Sequence, residues 1–205
     1  SIQFLKTHSY LFNINNNPFT DLKNSLGAIY IVRDPRNVVT SWSNFTNTSI
    51  NKATETLINS YKFGGDINNL NQADQTAVYV GTWKQNYNSW KSFKHEGRYL
   101  LIKYEDLINK TEFCFKKILE FLYNLQNIKF KIDKKKFENT IKTTSFEEMK
   151  KMEKEKGFTE GKINIFTKKK IPFFNLGPDN NWKKILEPEI RKKIEKAFKK
   201  EMIEL

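Results

Sequence analysis

The sequence predicts an α/β domain, a parallel sheet flanked by helices, and two observations carry that prediction. Two apolar runs rich in strand formers, AIYIV at 28–32 and RYLLIKY at 98–104, are separated by a long stretch with helical signals. That spacing excludes a tight hairpin and suits parallel strands joined by a helical crossover. The stretches around and after them repeat apolar residues at intervals of three and four, so each has one face to bury on a sheet. At 205 residues and 38% hydrophobic content the chain is long enough for one core, and no repeat or linker divides it. Residues 1–205 therefore read as a single domain.

In chain order, SIQFLKTH at 1–8 reads as a strand already under way, beginning with Ser and not Met. AIYIV is the next strand and runs without a spacer into RDPRNVVTSWSNF, where Asp34 can cap and Pro35 can open a helix. In VYVGTWKQNYNSWKSFK at 78–94, Val80, Trp83, Tyr87, Trp90 and Lys94 alternate in steps of three and four, which predicts one amphipathic helix packed on the sheet. TEFCFKKILEFLY at 111–123 gives a second helix with its stripe through Phe115, Ile118, Leu119 and Leu122. Residues 133–143, 145–156 and 188–205 read as further helices, the last opened by Pro188. Residues 157–181, with three Gly, two Pro and no steady period, read as a long loop of the kind that carries function.

An excess of 36 Lys and Arg over 23 Asp and Glu leaves +13, which implies an anionic partner: nucleic acid, a membrane surface, or a phosphorylated or sulfated small molecule. The lysine runs at 133–137 and 190–202 also read simply as solvated helix faces. Cys114 is the one cysteine, so no intrachain disulfide forms, and its place in an apolar helical pattern predicts a buried, inert thiol. A reducing cytoplasm fits. No apolar run approaches the ~18–20 residues that span a bilayer, and no signal peptide precedes the first element.

The chemistry concentrates at strand ends. In a parallel sheet, ligands collect at the carboxyl ends of strands, where a following helix points free N–H groups at an anion. Arg33 ends the strand, Arg36 sits in the first helical turn and Ser41 lies one turn further, a set of groups suited to phosphate. The same residues are equally explained if Arg33 and Asp34 only cap the helix and pair with neighbours. His8 ends the LKTH run and can take a proton near neutrality as a general base, or can be a surface residue; His95, in polar FKHEGR, reads as structural.

The order of LKTH, RDPRNVVTSWSNF, YEDL (104–107), TTSFEEMKK (143–151) and PFFNLGPDNNWKK (172–184) resembles the cytosolic-type sulfotransferases that use 3′-phosphoadenosine-5′-phosphosulfate. The resemblance covers nearly the whole chain and implies their nucleotide-kinase-like fold. It implies that Arg33 and Ser41 hold the 3′-phosphate of the nucleotide, and that Tyr104, Thr144 and Phe146 line the adenine. It also implies that His8 is the base and Lys6 a cation beside the transferring sulfuryl group. The acceptor is then a small molecule with a hydroxyl or amine, and neither a metal, a nucleic acid nor a membrane is expected.

Two departures matter. Where the family carries Arg-Lys-Gly in its late loop, this chain has Asn175 and Leu176 ahead of Gly177, so the phosphate clamp keeps a neutral donor at Asn175 and weaker nucleotide binding is expected. Lys168 to Lys170 are nearby cations, and Trp182 reads as a hydrophobic anchor for the loop. The family also opens with a strand, a Pro-Lys-Ser-Gly-Thr-Thr phosphate loop and a helix, and no Gly-x-x-x-x-Gly-Lys-Ser/Thr pattern replaces it; FGGD at 63–66 lacks the lysine. The chain is therefore expected to be an N-terminally truncated sulfotransferase domain. The competing expectations are an inactive, degenerate member of that family and a basic module that uses its lysines and aromatics on nucleic acid.

Overall fold

In the computed structural model, which describes residues 2–63, 77–159, 161–163 and 168–205, the two apolar runs lie side by side. β3 (Ala28–Val32) and β6 (Tyr99–Lys103) form a parallel ladder with Ala28 opposite Tyr99 and Val32 opposite Lys103. Val32 and Ile102 are buried. Ile31, however, is 54% exposed, although strands of a parallel sheet are normally covered on both faces.

From the end of β3 the chain enters α1 (Pro35–Thr46) as expected. The Asp34 carboxylate accepts from the backbone N–H of Arg36 at 2.9 Å, and Pro35 fills the first position, where no N–H is needed. Asn47 ends the helix in the left-handed conformation at φ 52°. α2 (Ile50–Ile58) follows under a Ser49 cap and packs with α1 against α9 (Pro188–Ala197). Their shared core is Val39, Ala53, Leu57, Ile190, Ile194 and Phe198.

Several sequence expectations are corrected. Residues 78–94 are not one helix: β5 (Val78–Gly81) pairs antiparallel with β4 (Tyr61–Phe63), α3 (Trp83–Ser89) follows, and Trp90–Glu96 tightens to 3₁₀ geometry. Two valines flanking a tyrosine favour extended backbone, and Thr82 then starts the helix with a reciprocal capping box to Gln85. Val80 falls three residues before Trp83 by coincidence. The helix expected over 188–205 breaks at Phe198, φ −123°, into α9 and α10 (Lys199–Ile203), with the Phe198 ring buried in the core.

Residues 2–8 join no sheet among the described residues. A strand-like run needs a neighbouring strand to become one, and here the chain from residue 8 onward is held by side chains of α3 and its 3₁₀ extension and by Tyr79 of β5. Beyond it, β1 (Asn13–Ile14) and β2 (Asn17–Pro18) form a small hairpin whose turn places Asn15 and Asn16 at φ 51° and 62°, a conformation asparagine tolerates.

α4 (Tyr104–Asn109) follows β6 directly and was not expected. α5 (Thr111–Leu125), α6 (Lys134–Thr143) and α7 (Phe146–Lys156) stand where their periodicity placed them, the last two capped by Asp133 and Ser145. Cys114 is buried on α5, and burial pushes its thiol above the ordinary value. The loop expected over 157–181 holds the short pair β7 (Lys162–Ile163) and β8 (Lys170–Ile171) and a 3₁₀ turn at Gly177–Asp179; α8 (Trp182–Ile185) leads to α9. Of FGGD, residues 64–66 lie outside the described residues. No described helix is long and apolar enough to cross a membrane.

Ile194 is fully buried where α1, α2 and α9 meet. Ile194→Ala is expected to lower stability by about 2–5 kcal/mol in chemical denaturation, with an unchanged dependence on denaturant.

Candidate functional site

The ladder register places the first residues beyond β3 and β6, Arg33 and Tyr104, side by side at the carboxyl end of the sheet. The Arg33 guanidinium carbon stands 4.1 Å above the Tyr104 ring, and Nη2 donates to the Gly177 carbonyl at 3.0 Å. The side chain is 16% exposed. Its Nε is buried with no hydrogen-bond partner among the described residues, the Glu105 carboxylate being 4.0 Å away. Burial lowers the guanidinium's pKa, while Tyr104, Glu105 and Asp34 act in the opposite sense. An arginine remains charged at every relevant pH, so this is a half-buried cation with an N–H to spare.

Gly177 continues the contact. It adopts φ +50°, and a Cβ there would lie 2.2 Å from the Phe146 ring, so the ring rests directly on its backbone. Phe146 in turn meets Phe174 edge to face at 6.0 Å. The structure therefore joins Tyr104, Arg33, Gly177 and Phe146 in one line of contacts. Thr144 stands at the end of α6, its hydroxyl donating to the Thr140 carbonyl at 2.7 Å. Asn175 lies half-buried in the turn before Gly177, and Ser41 is exposed on α1. Lys6 and His8 lie in the exposed segment before Ser9.

The loop that brings Gly177 to Arg33 is held by residues to which the sequence assigned no role. The Glu153 carboxylate on α7 accepts from the backbone N–H groups of Phe173 and Phe174 at 2.7 and 2.9 Å. On the other side, buried Asn180 accepts from the Thr40 hydroxyl at 2.7 Å and donates to the Asn37 carbonyl at 3.0 Å. Asn37 also accepts from the Trp182 N–H at 3.0 Å. Trp182 is buried as the anchor its position suggested.

Arg36, read from the sequence as part of the anion site, is committed elsewhere. It donates to Asp34 at 2.6 to 3.2 Å and to Glu195 on α9 at 2.6 Å, and it lies 4.0 Å over the Trp182 ring. Its task is to tie α9 to the start of α1. Two openings border Arg33: a cleft of about 410 Å³ lined also by Val32, Lys103 and Trp182, and a smaller one of about 110 Å³ beside Tyr104 and Pro178. Among the described residues no three His, Cys, Asp or Glu side chains are grouped to hold a metal ion.

Against known proteins, the family described as the sulfotransferase domain matches residues 1–205. The chain belongs to the sulfotransferase family. It is 26% identical over 185 residues to sulfotransferase 2A1 of Rattus norvegicus, covering 85% of this chain and 56% of that protein. It is 27% identical over 157 residues to 3-beta-hydroxysteroid sulfotransferase of Cavia porcellus, covering 76% and 49%. The chain thus spans about half the length of these relatives. The fold is that of mouse sulfotransferase SULT7A1 complexed with PAP, at TM-score 0.58 and 21% identity over 93% of this chain and 64% of that one. A retinol dehydratase in complex with retinol and PAP matches at TM-score 0.59 and 16% identity, over 85% and 47%. The α/β class with a parallel sheet read from the two apolar runs is the one the chain adopts.

Hydrogen bonds from Arg191 first, and then from Arg36, hold the Glu195 carboxyl below its ordinary value against a small effect of burial. A carboxyl depressed in the folded state adds stability above its unfolded pKa and loses it as the pH falls through the folded one. Arg36→Ala is expected to lower stability at pH 7 by about 1–3 kcal/mol. Thermal melts should also show the variant losing less than the parent between about pH 5 and 3, with Arg191 retaining part of the dependence.

Proposed function

We propose that the complete product of this gene transfers a sulfuryl group from 3′-phosphoadenosine-5′-phosphosulfate to a hydroxyl or amine of a small acceptor. Arg33 receives the 3′-phosphate of the donor, aided by Ser41 and the neutral Asn175. Tyr104, Thr144 and Phe146 line the adenine, and Gly177 lets the loop backbone approach. His8 takes the acceptor's proton, and Lys6 stabilises charge that develops on the transferring group.

The observation that carries this reading is the half-buried Arg33 guanidinium at the carboxyl end of a parallel strand, whose buried Nε–H has no hydrogen-bond partner among the described residues. That chemistry suits a phosphate, because a charge-assisted bond to an anion offsets the cost of keeping the cation out of water. Family membership and the PAP held in the two solved structures compared above support the same donor. The donor supplies the activated sulfuryl group; the chain's residues bind, orient and move the proton.

We further propose that residues 1–205 are one domain to which a strand, a phosphate loop and a helix outside them are added. In support, the chain spans 56% of sulfotransferase 2A1, and Phe4, Leu5 and Ile31 are more than half exposed, as apolar surface awaiting cover would be. Transfer is accordingly assigned to the complete product.

Titration calorimetry with PAP tests the site. Arg33→Ala is expected to weaken binding by about one to two orders of magnitude, the loss of one charge-assisted hydrogen bond or two. Unchanged affinity would remove Arg33 from the phosphate role. In the complete product, His8→Ala is expected to abolish transfer while sparing PAP binding; normal turnover would remove His8 from the role of base.

A further inference from the structure

The segment that carries His8 is held by one face of α3 and its 3₁₀ extension. Asn86, Ser89 and Trp90 follow the three- and four-residue spacing that shares a helix face, and each bonds the main chain of the segment. The Asn86 amide donates to the His8 carbonyl at 3.0 Å, the Trp90 indole N–H donates to the Ser9 carbonyl at 3.1 Å, and Ser89 Oγ accepts from the Leu11 N–H at 2.9 Å. β5 adds two bonds: the Tyr10 N–H donates to the Tyr79 carbonyl at 2.8 Å, and the Tyr79 N–H donates to Ser9 Oγ at 3.1 Å.

Asn86 differs from the others in what else it holds. Its Nδ2 also donates to the Val80 carbonyl at 2.9 Å, and its Oδ1 accepts from the Tyr30 hydroxyl at 2.9 Å. Both N–H groups and the carbonyl oxygen are therefore engaged, which leaves the carboxamide one orientation. Tyr30 lies on β3, the strand that ends next to Arg33. One side chain thus connects the main chain of His8, the end of β5 and the strand that ends at Arg33. Burial pushes the Tyr30 phenol far above its ordinary value, so it stays protonated and remains a donor.

We propose that Asn86 is a positioning residue: its carboxamide ties the His8 main chain to β3 and so sets where the His8 imidazole stands relative to the Arg33 site. The inference rests on the reading of His8 as the base. Only a carboxamide supplies two donors and an acceptor in this arrangement. Leucine of similar shape supplies none, and aspartate lacks the donors.

The test uses Asn86→Leu and Tyr30→Phe in the complete gene product, with three measurements: amide hydrogen exchange across residues 8–11, PAP affinity, and kcat. The expected result for Asn86→Leu is faster exchange at 8–11, PAP affinity within about twofold of the parent, and kcat lowered about ten- to a hundredfold, the effect of a base displaced by a fraction of an ångström to an ångström. Tyr30→Phe, which removes one hydroxyl and keeps the ring, is expected to shift the same quantities in the same direction by less. If Asn86→Leu does not fold, Tyr30→Phe decides alone. Unchanged exchange overturns the proposal. So does a fall in kcat matched by an equal fall in PAP affinity, which marks general damage. Faster exchange with normal kcat also overturns it, and His8→Ala then separates the causes: an inactive His8→Ala means that positioning alone fails, an active one that His8 is not the base.

Discussion

A half-buried positive charge at the carboxyl end of β3, Arg33, organises the candidate site. Withdrawing part of an arginine from water has a cost, and the contacts around Arg33 offset it. Stacking on Tyr104 contributes about 0.5–2 kcal/mol and the bond to the Gly177 carbonyl about 1.5–3 kcal/mol. Those contacts leave Nε without a hydrogen-bond partner. The guanidinium is held in place by its neighbours and keeps one N–H unused, and the proposed phosphate role rests on that N–H. Glu105, 4.0 Å from Nε, is near enough to favour the charge and too far to take its N–H.

The surrounding structure serves that arrangement. Glu153 fixes the loop backbone at Phe173 and Phe174, and Asn180 with Asn37 fixes it on the far side of Gly177, so the carbonyl facing Arg33 is held from both directions. Arg36, three residues from Arg33, does different work. With Asp34, Glu195 and Trp182 it fastens α9 to α1, over the core of Val39 and Ile194. Two arginines in one short motif thus divide into one that holds the fold together and one that retains binding capacity.

Much of this was legible in the sequence. β3 and β6 are short β-branched and apolar runs, and their parallel pairing follows from the long helical connection between them; the register then brings Arg33 to Tyr104 without further information. Asp34 and Pro35 announced the start of α1, and the spacing of α5, α6 and α7 was plain. Other features were not legible, for physical reasons. Glu153 sits on a lysine-rich helix and reads as a solvated charge; only the folded loop supplies the two N–H groups it accepts from. Asn86 lies inside a helix, where asparagine carries no signal of its own, and two of its three partners, His8 and Tyr30, come from distant parts of the chain. Residues 78–94 misled because apolar spacing continued through a capping residue, although Thr82 and Gln85 form a recognisable capping-box pair. Residues 2–8 read like a strand under way, and a strand exists only beside another.

The chain matches the sulfotransferase family over residues 1–205 while spanning about half the length of its relatives, which places the weight of the functional reading on Arg33. The most direct measurement is a crystal structure of the complete gene product with PAP bound. The expected result is the 3′-phosphate within about 2.7–3.2 Å of the Arg33 guanidinium, with the adenine between Tyr104 and Phe146. PAP ordered elsewhere, with Arg33 still bonded only to the Gly177 carbonyl, would contradict it.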